Sequence, residues 1–161
     1  MMLSGSIAAL ITPRTRQSEL DGRSLHRLAE NALVAGCSGI CVNGASGEYF
    51  RSTVQEIRSI VELARSITPK DRFVIAGCGA PNFDQAYALA AHALDTGADA
   101  VLAPAPHFFP YQPEDVAEYY LALATRLRGP VLIYNLPQFT SGLPPELIGR
   151  LVRSHPWIIG V

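Results

Sequence analysis

The stretch Gly44-Ala45-Ser46-Gly47-Glu48 has the residue types and spacing to hold an anion. Two glycines around small residues let backbone N–H groups crowd toward a negative charge, and the Ser46 hydroxyl adds a donor. A carboxylate or a phosphate suits such a loop, and so does a plain glycine-rich turn with no ligand. It is not a P-loop, because no lysine follows. Gly77-Cys78-Gly79-Ala80-Pro81 lacks the third glycine of a dinucleotide fingerprint. Far downstream, Tyr134-Asn135-Leu136-Pro137 closes a short apolar run. A phenol at the end of a strand can pass protons or orient a substrate carbonyl, or it can simply anchor a loop. The segment 104–115, PAPHFFPYQPED, is rich in proline and aromatics and is stiff enough to wall a pocket or pack against another subunit. His107 within it is either an acid/base or a solvated loop residue.

These loops need elements to position them. Short apolar runs at 7–12, 39–43, 73–76, 100–103, 131–134 and 157–161 alternate with helix-like segments whose apolar residues fall at three-and-four spacing. Leu25, Leu28, Ala29, Ala32 and Leu33 make one such stripe, and Val54, Ile57, Ile60, Val61 and Ala64 another. Ser52 or Thr53 can cap the second helix with Glu56 in its first turn. Pro113 and Pro144-Pro145 open the fourth and fifth. Gly36 and Gly97 stand where the first and third helices should end, inside the similar stretches ALVAGCSGICV and ALDTGADAVLA. Strands apolar almost throughout, joined by helices, imply a parallel sheet covered on both faces or closed into a barrel. Both a doubly wound open sheet and the first part of an eight-fold barrel fit that rhythm. In either, the active loops follow the strands' C-terminal ends. The final run, Trp157, Ile158, Ile159 and Val161, reads as a buried strand, which is odd at a terminus and leads to the expectation that the functional molecule is longer.

Composition narrows the partners. A net charge of −1 without a basic run disfavours nucleic acid or an anionic membrane as the main partner. No stretch reads as a signal peptide or approaches a bilayer-spanning run, so a cytoplasmic location is expected. Cys37, Cys41 and Cys78 form no C-x-x-C and have no histidine pair at ligand spacing. They are read as small buried fillers, and no metal is expected. His26, His92 and His155 fall on helices or their ends and receive surface readings.

In their order and spacing, ALITP (9–13), GASGEY (44–49), VIAGCGA (74–80), YNLPQFTSG (134–142) and IIGV (158–161) resemble the dihydrodipicolinate synthase and N-acetylneuraminate lyase family. The resemblance is collinear over the whole chain. It implies a (β/α)8 barrel, the α/β TIM-barrel fold, of which 1–161 would be the N-terminal part of a single domain. It also implies a homo-oligomer, tetramer or dimer, acting as a class I aldolase on a 2-keto acid and an aldehyde without a cofactor. In that family a lysine directly follows a stretch like Ile158-Ile159-Gly160-Val161 and forms a Schiff base with pyruvate, so lysine is expected next after Val161. By the same resemblance Ala45, Ser46 and Gly47 would hold the keto-acid carboxylate and Tyr134 would shuttle protons. Glu48 is read as a loop brace.

Three departures accompany the resemblance. Ala45 stands where the family has Ser or Thr, so one hydroxyl is missing. Phe108 or Phe109 stands where many members carry a relay Tyr. Phe139 stands where dihydrodipicolinate synthases place an Arg that grips the aldehyde's carboxylate. Phe108, Phe109 and Phe139 are read as pocket wall, which favours a neutral aldehyde half such as that of a 2-keto-3-deoxy sugar acid or an N-acetylneuraminate-like substrate. Dihydrodipicolinate synthase activity, and a non-catalytic keto-acid or phosphate binding module, stand as alternatives.

Overall fold

Six strands lie parallel in the sheet order β1-β2-β3-β4-β5-β6, the order of the chain itself. They are β1 (Ile7–Ala9), β2 (Gly39–Val42), β3 (Phe73–Gly77), β4 (Ala100–Pro104), β5 (Val131–Tyr134) and β6 (Ile158–Gly160). Five helices connect them: α1 (Gly22–Val34), α2 (Val54–Ile67), α3 (Phe83–Asp95), α4 (Pro113–Leu127) and α5 (Pro145–Ser154). This is a computed structural model, and it describes residues 3–107 and 109–161. An open doubly wound sheet would place a strand out of sequential order at its switch point. None is displaced here, and the chain forms the first part of a (β/α)8 barrel.

The sheet's two faces differ. In parallel register Ile40 sits beside Val74, Val101 beside Val131, and Val131 beside Ile158. These side chains face the helices and are almost fully buried. They form one core with Leu25 and Ala29 of α1, Ile60 and Val61 of α2, Leu89 of α3, Leu123 of α4 and Leu151 of α5. The other face carries Cys41 beside Ile75, and Leu102 beside Leu132 beside Gly160. Leu132 and Gly160, with Ile7 and Ile75, line a concave space of about 860 Å³. It is the inner, barrel-facing side.

Local signals explain the boundaries. Thr53 caps α2 in a full capping box: its hydroxyl accepts from the Glu56 N–H, and the Glu56 carboxylate accepts from the Thr53 N–H. Pro113 and Pro145 open α4 and α5, where a missing N–H costs nothing. Helices α1 and α3 end alike. Gly36 and Gly97 take φ of +95° and +96°, and the next residue's N–H returns to Ala32 and to Ala93. That is the same glycine-closed turn twice, the structural counterpart of the weak sequence repeat.

Three expectations are corrected. The first strand pairs over Ile7–Ala9 rather than 7–12. After the Leu10 N–H meets the Cys41 carbonyl the chain leaves the ladder, and Arg14 bridges Leu20 within a small hairpin. The last run is not buried throughout. Only Ile158 packs on helices, while Trp157, Ile159 and Val161 are exposed, the latter two on the concave side. Cys41 and Cys78 are buried fillers as expected, but Cys37, in the turn after α1, is only half-buried.

Candidate active site

Asn43 directly follows strand β2; it is buried and adopts a left-handed conformation with φ of 56°. Asparagine tolerates that region because its short amide bonds locally. Here its Nδ2 donates to the Ile57 carbonyl at 3.0 Å, tying the strand end to the first turn of α2. The Asn43 carbonyl passes so close to Gly77 that a Cβ there would overlap it, so position 77 accepts only glycine without rearrangement.

Beyond Asn43 the chain turns tightly. The Gly47 N–H bonds the Gly44 carbonyl at 3.1 Å, and the Glu48 N–H bonds Ala45 at 2.9 Å. Those two amides are consumed by the turn, whereas the amides of Ala45 and Ser46 are not. The Ala45 N–H reaches the Tyr134 hydroxyl at 3.4 Å, a long contact, and among the described residues no acceptor meets the Ser46 N–H. Ser46 itself is exposed. An unpartnered Ser46 amide, an Ala45 amide held only by a long contact, and a hydroxyl at one turn suit a carboxylate. Gly47 is packed against the strand β1 side, where an added Cβ would sit 3.2 Å from Thr12 Oγ1 and 3.3 Å from the Leu10 carbonyl. Glu48 pairs with Arg51 at 2.7 Å in the 3₁₀ turn Tyr49–Arg51, a half-exposed bridge within the loop.

Tyr134 closes β5 opposite Pro104 of β4. The next residue, Asn135, fixes the loop that follows: its Nδ2 donates to the Leu143 carbonyl and its Oδ1 accepts from the Leu143 N–H, at 3.0 and 2.9 Å. The looped-out residues 137–142 face His107, Phe109 and Pro110 across a cavity of about 460 Å³ whose wall includes Phe139. Ser141 Oγ accepts from the Tyr111 N–H at 2.8 Å and joins the two loops. Phe139 and Phe109 thus line one cavity. Phe108 lies outside the described residues.

A second phenol stands close by. The Tyr49 ring lies on Gly79 and meets the His107 ring edge-on at 6.2 Å. Burial raises the Tyr49 phenol above its ordinary range, and the neighbouring Tyr134 and Cys78 add to the shift. His107 lines the larger cavity and also a smaller one of about 250 Å³ with Tyr49, Phe50, Val54 and Pro81. Its Nδ1 is buried and has no partner among the described residues.

Burial pushes the Cys41 thiol up to about 11 and the Cys78 thiol to about 12, so neither is a thiolate nucleophile at neutral pH. Tyr120 is held as a neutral core phenol, donating to the Ala103 carbonyl at 2.8 Å. His26 is exposed, His92 pairs with Glu62 at 3.3 Å, and His155 meets Thr125 at 3.1 Å. Among the described residues no group of three or more His, Cys, Asp or Glu could hold a metal, and no helix is long and apolar enough to cross a membrane.

The structure therefore brings the 44–48 turn and Tyr134 together, and sets Phe109 and Phe139 on one neighbouring cavity. Val161 lines the concave face with Leu132, two residues before Tyr134 on β5. Sequence reasoning missed Asn43, Gly77, Tyr49 and Asn135. An Asn-Gly pair at a strand end was the available signal for Asn43. Nothing local marks Gly77, whose role is set by a backbone from another strand.

Comparison with known proteins fits this arrangement. The model of the dihydrodipicolinate synthetase family matches residues 2–161. A 4-hydroxy-tetrahydrodipicolinate synthase from Agrobacterium fabrum (strain C58) is 35% identical over 161 residues, covering 99% of this chain and 55% of that protein. A probable 2-dehydro-3-deoxy-D-pentonate aldolase from Escherichia coli (strain K12) is 30% identical over 159 residues, covering 98% and 53%. The crystal structure of dihydrodipicolinate synthase from Aquifex aeolicus superposes with a TM-score of 0.91 at 30% identity, over 98% of this chain and 54% of that one. The chain spans about half the length of the relatives it matches. With its parallel strands in sequential order and a family match over residues 2–161, the chain belongs to the dihydrodipicolinate synthetase family.

Proposed function

We propose that this chain is the N-terminal part of a single barrel domain of a class I aldolase, which cleaves or forms a carbon–carbon bond between a 2-keto acid and an aldehyde. The observation that carries the reading is the contact between the Tyr134 hydroxyl and the Ala45 amide. A phenol able to carry protons, beside a turn whose Ser46 amide has no partner among the described residues, supports the reading. The keto-acid carboxylate binds the Ala45 and Ser46 amides and the Ser46 hydroxyl, with Gly47 allowing the tight turn. The nucleophile is a lysine directly after Val161. Its neutral amine adds to the keto carbon, and loss of water gives the imine. Tyr134 donates and recovers the protons of those steps. In cleavage the C4 hydroxyl loses its proton, the C3–C4 bond breaks, and its electron pair moves toward the iminium nitrogen as the aldehyde leaves. No separate cofactor is needed, because the imine itself serves as the electron sink.

The aldehyde half lies in the cavity lined by His107, Phe109 and Phe139. Phe139 offers no charge, which favours a neutral polyol, as in a 2-keto-3-deoxy sugar acid, over aspartate semialdehyde. The synthase similarity supports dihydrodipicolinate synthase activity as a second reading. Exposed Phe50, Val54, Phe109 and Tyr111 beside these loops support a homo-oligomer. The enzyme is assigned to the cytoplasm. Borohydride reduction of the complete protein with pyruvate tests the chemistry: a covalent adduct on the lysine after Val161 is expected. A folded protein that forms none is a binder.

A further inference from the structure

Arg14 lies in the hairpin after β1, its side chain only 13% exposed. Its Nη1 donates to Glu56 Oε1 at 2.7 Å and to the Ser18 carbonyl at 2.9 Å, while Nη2 donates to Ser52 Oγ at 2.9 Å. A planar guanidinium spans three acceptors in this way, and an ammonium cannot copy that fork. Glu56 is also the residue that closes the Thr53 capping box, so one carboxylate holds both the start of α2 and Arg14. On the hairpin side, the Asp21 N–H returns to the Pro13 carbonyl, and Asp21 caps α1 through the Ser24 N–H at 3.0 Å.

The 44–48 turn lies between these anchors. It begins at Asn43, tied to Ile57. It ends in the segment that carries Ser52 and Thr53. Its middle rests on Thr12 and Leu10, just before Arg14. We propose that Arg14 is a positioning residue for the anion-binding turn, clamping the β1–α1 hairpin to the first turn of α2 so that the Ala45 and Ser46 amides are held ready for a carboxylate. The proposal rests on the keto-acid reading above. Without the clamp Thr12 and Ser52 drift apart, the turn loses its floor, and binding weakens while the chemical groups stay intact.

The test uses the complete protein, trapped with borohydride across a pyruvate series, beside hydrogen–deuterium exchange of the 44–48 segment. Arg14→Met is expected to raise half-saturating pyruvate about tenfold with the final adduct yield retained, and to speed exchange in 44–48, since small misplacements of binding groups are costly. Arg14→Lys, which keeps a charge on Glu56 but loses the fork, should fall between the two. It supplies the comparison if the Met variant does not fold. Folded variants with wild-type pyruvate dependence and wild-type exchange overturn the clamp alone. A wild type that forms no adduct overturns the keto-acid reading and, with it, the clamp's purpose.

Discussion

The Tyr134 hydroxyl and the Ala45 amide nitrogen stand 3.4 Å apart, joining the ends of β5 and β2 across 89 positions of sequence. Two strands separate these elements in the sheet, and only curvature toward a barrel brings their ends so close. If the contact marks the reacting centre, Tyr134→Phe in the complete protein should lower kcat by roughly 10²–10⁴-fold, as for a lost proton-transfer group. Steady-state cleavage assays check this, and an unchanged rate would remove Tyr134 from the mechanism.

The turn itself makes a different prediction. Ser46 is exposed and offers a hydroxyl beside two amides. Ser46→Ala should weaken pyruvate binding by roughly 10- to 100-fold, since one hydrogen bond to a charged group contributes about 1.5–3 kcal/mol. The effect should fall on KM more than on kcat. A variant with a normal KM and a lowered kcat would assign Ser46 to the chemistry instead.

Phe139 carries the prediction for the second substrate. Its ring is 73% exposed at the cavity that holds Phe109, so a charged replacement there meets no packing penalty. The wild-type enzyme should cleave 2-keto-3-deoxy sugar acids with a higher kcat/KM than it condenses pyruvate with aspartate semialdehyde. Phe139→Arg should shift that ratio toward condensation, because a guanidinium can grip the second carboxylate. Efficient condensation by the wild type would mean that another cation serves this substrate.

Gly77→Ala should destabilise the fold by roughly 1–3 kcal/mol, the range for overpacking a close-packed site. The added Cβ would meet the Asn43 carbonyl, and backbone cannot yield as a flexible side chain does. Thermal denaturation checks the loss. Gly36→Ala forms the contrast: its cost comes from the positive φ alone, because nothing lies within 4 Å of an added Cβ.

Acid should weaken the start of α2. The Thr53 amide, and next the Arg14 side chain, hold the Glu56 carboxyl below its ordinary range. A carboxyl depressed in the folded state stabilises above its unfolded pKa, and that contribution is lost as pH falls through the folded value. Urea titrations at pH 7 and below pH 4 should show the difference between wild type and Glu56→Gln shrinking as pH drops. A constant difference would mean that Glu56 acts through packing rather than charge.

Much of this was legible in the residues. Apolar runs and three-and-four stripes gave the alternation of strands and helices, because burial on one face imposes a period that local sequence must carry. Thr53 with Glu56, Pro113 and Gly97 marked helix ends through chemistry confined to a few neighbouring residues. The ordered motifs around Ser46 and Tyr134 pointed to one family. What sequence could not supply were facts set by distant chain. The exposure of Ile159 and Val161 follows from which face of β6 has a partner, and hydrophobicity is silent on that. The need for glycine at 77 comes from the carbonyl of Asn43, and the burial of Arg14 from Ser52, just before α2, and Glu56 in its first turn. Periodicity is a property of one element. The distance from Tyr134 to Ala45 belongs to the curvature of the sheet between them, and only the assembled strands decide it.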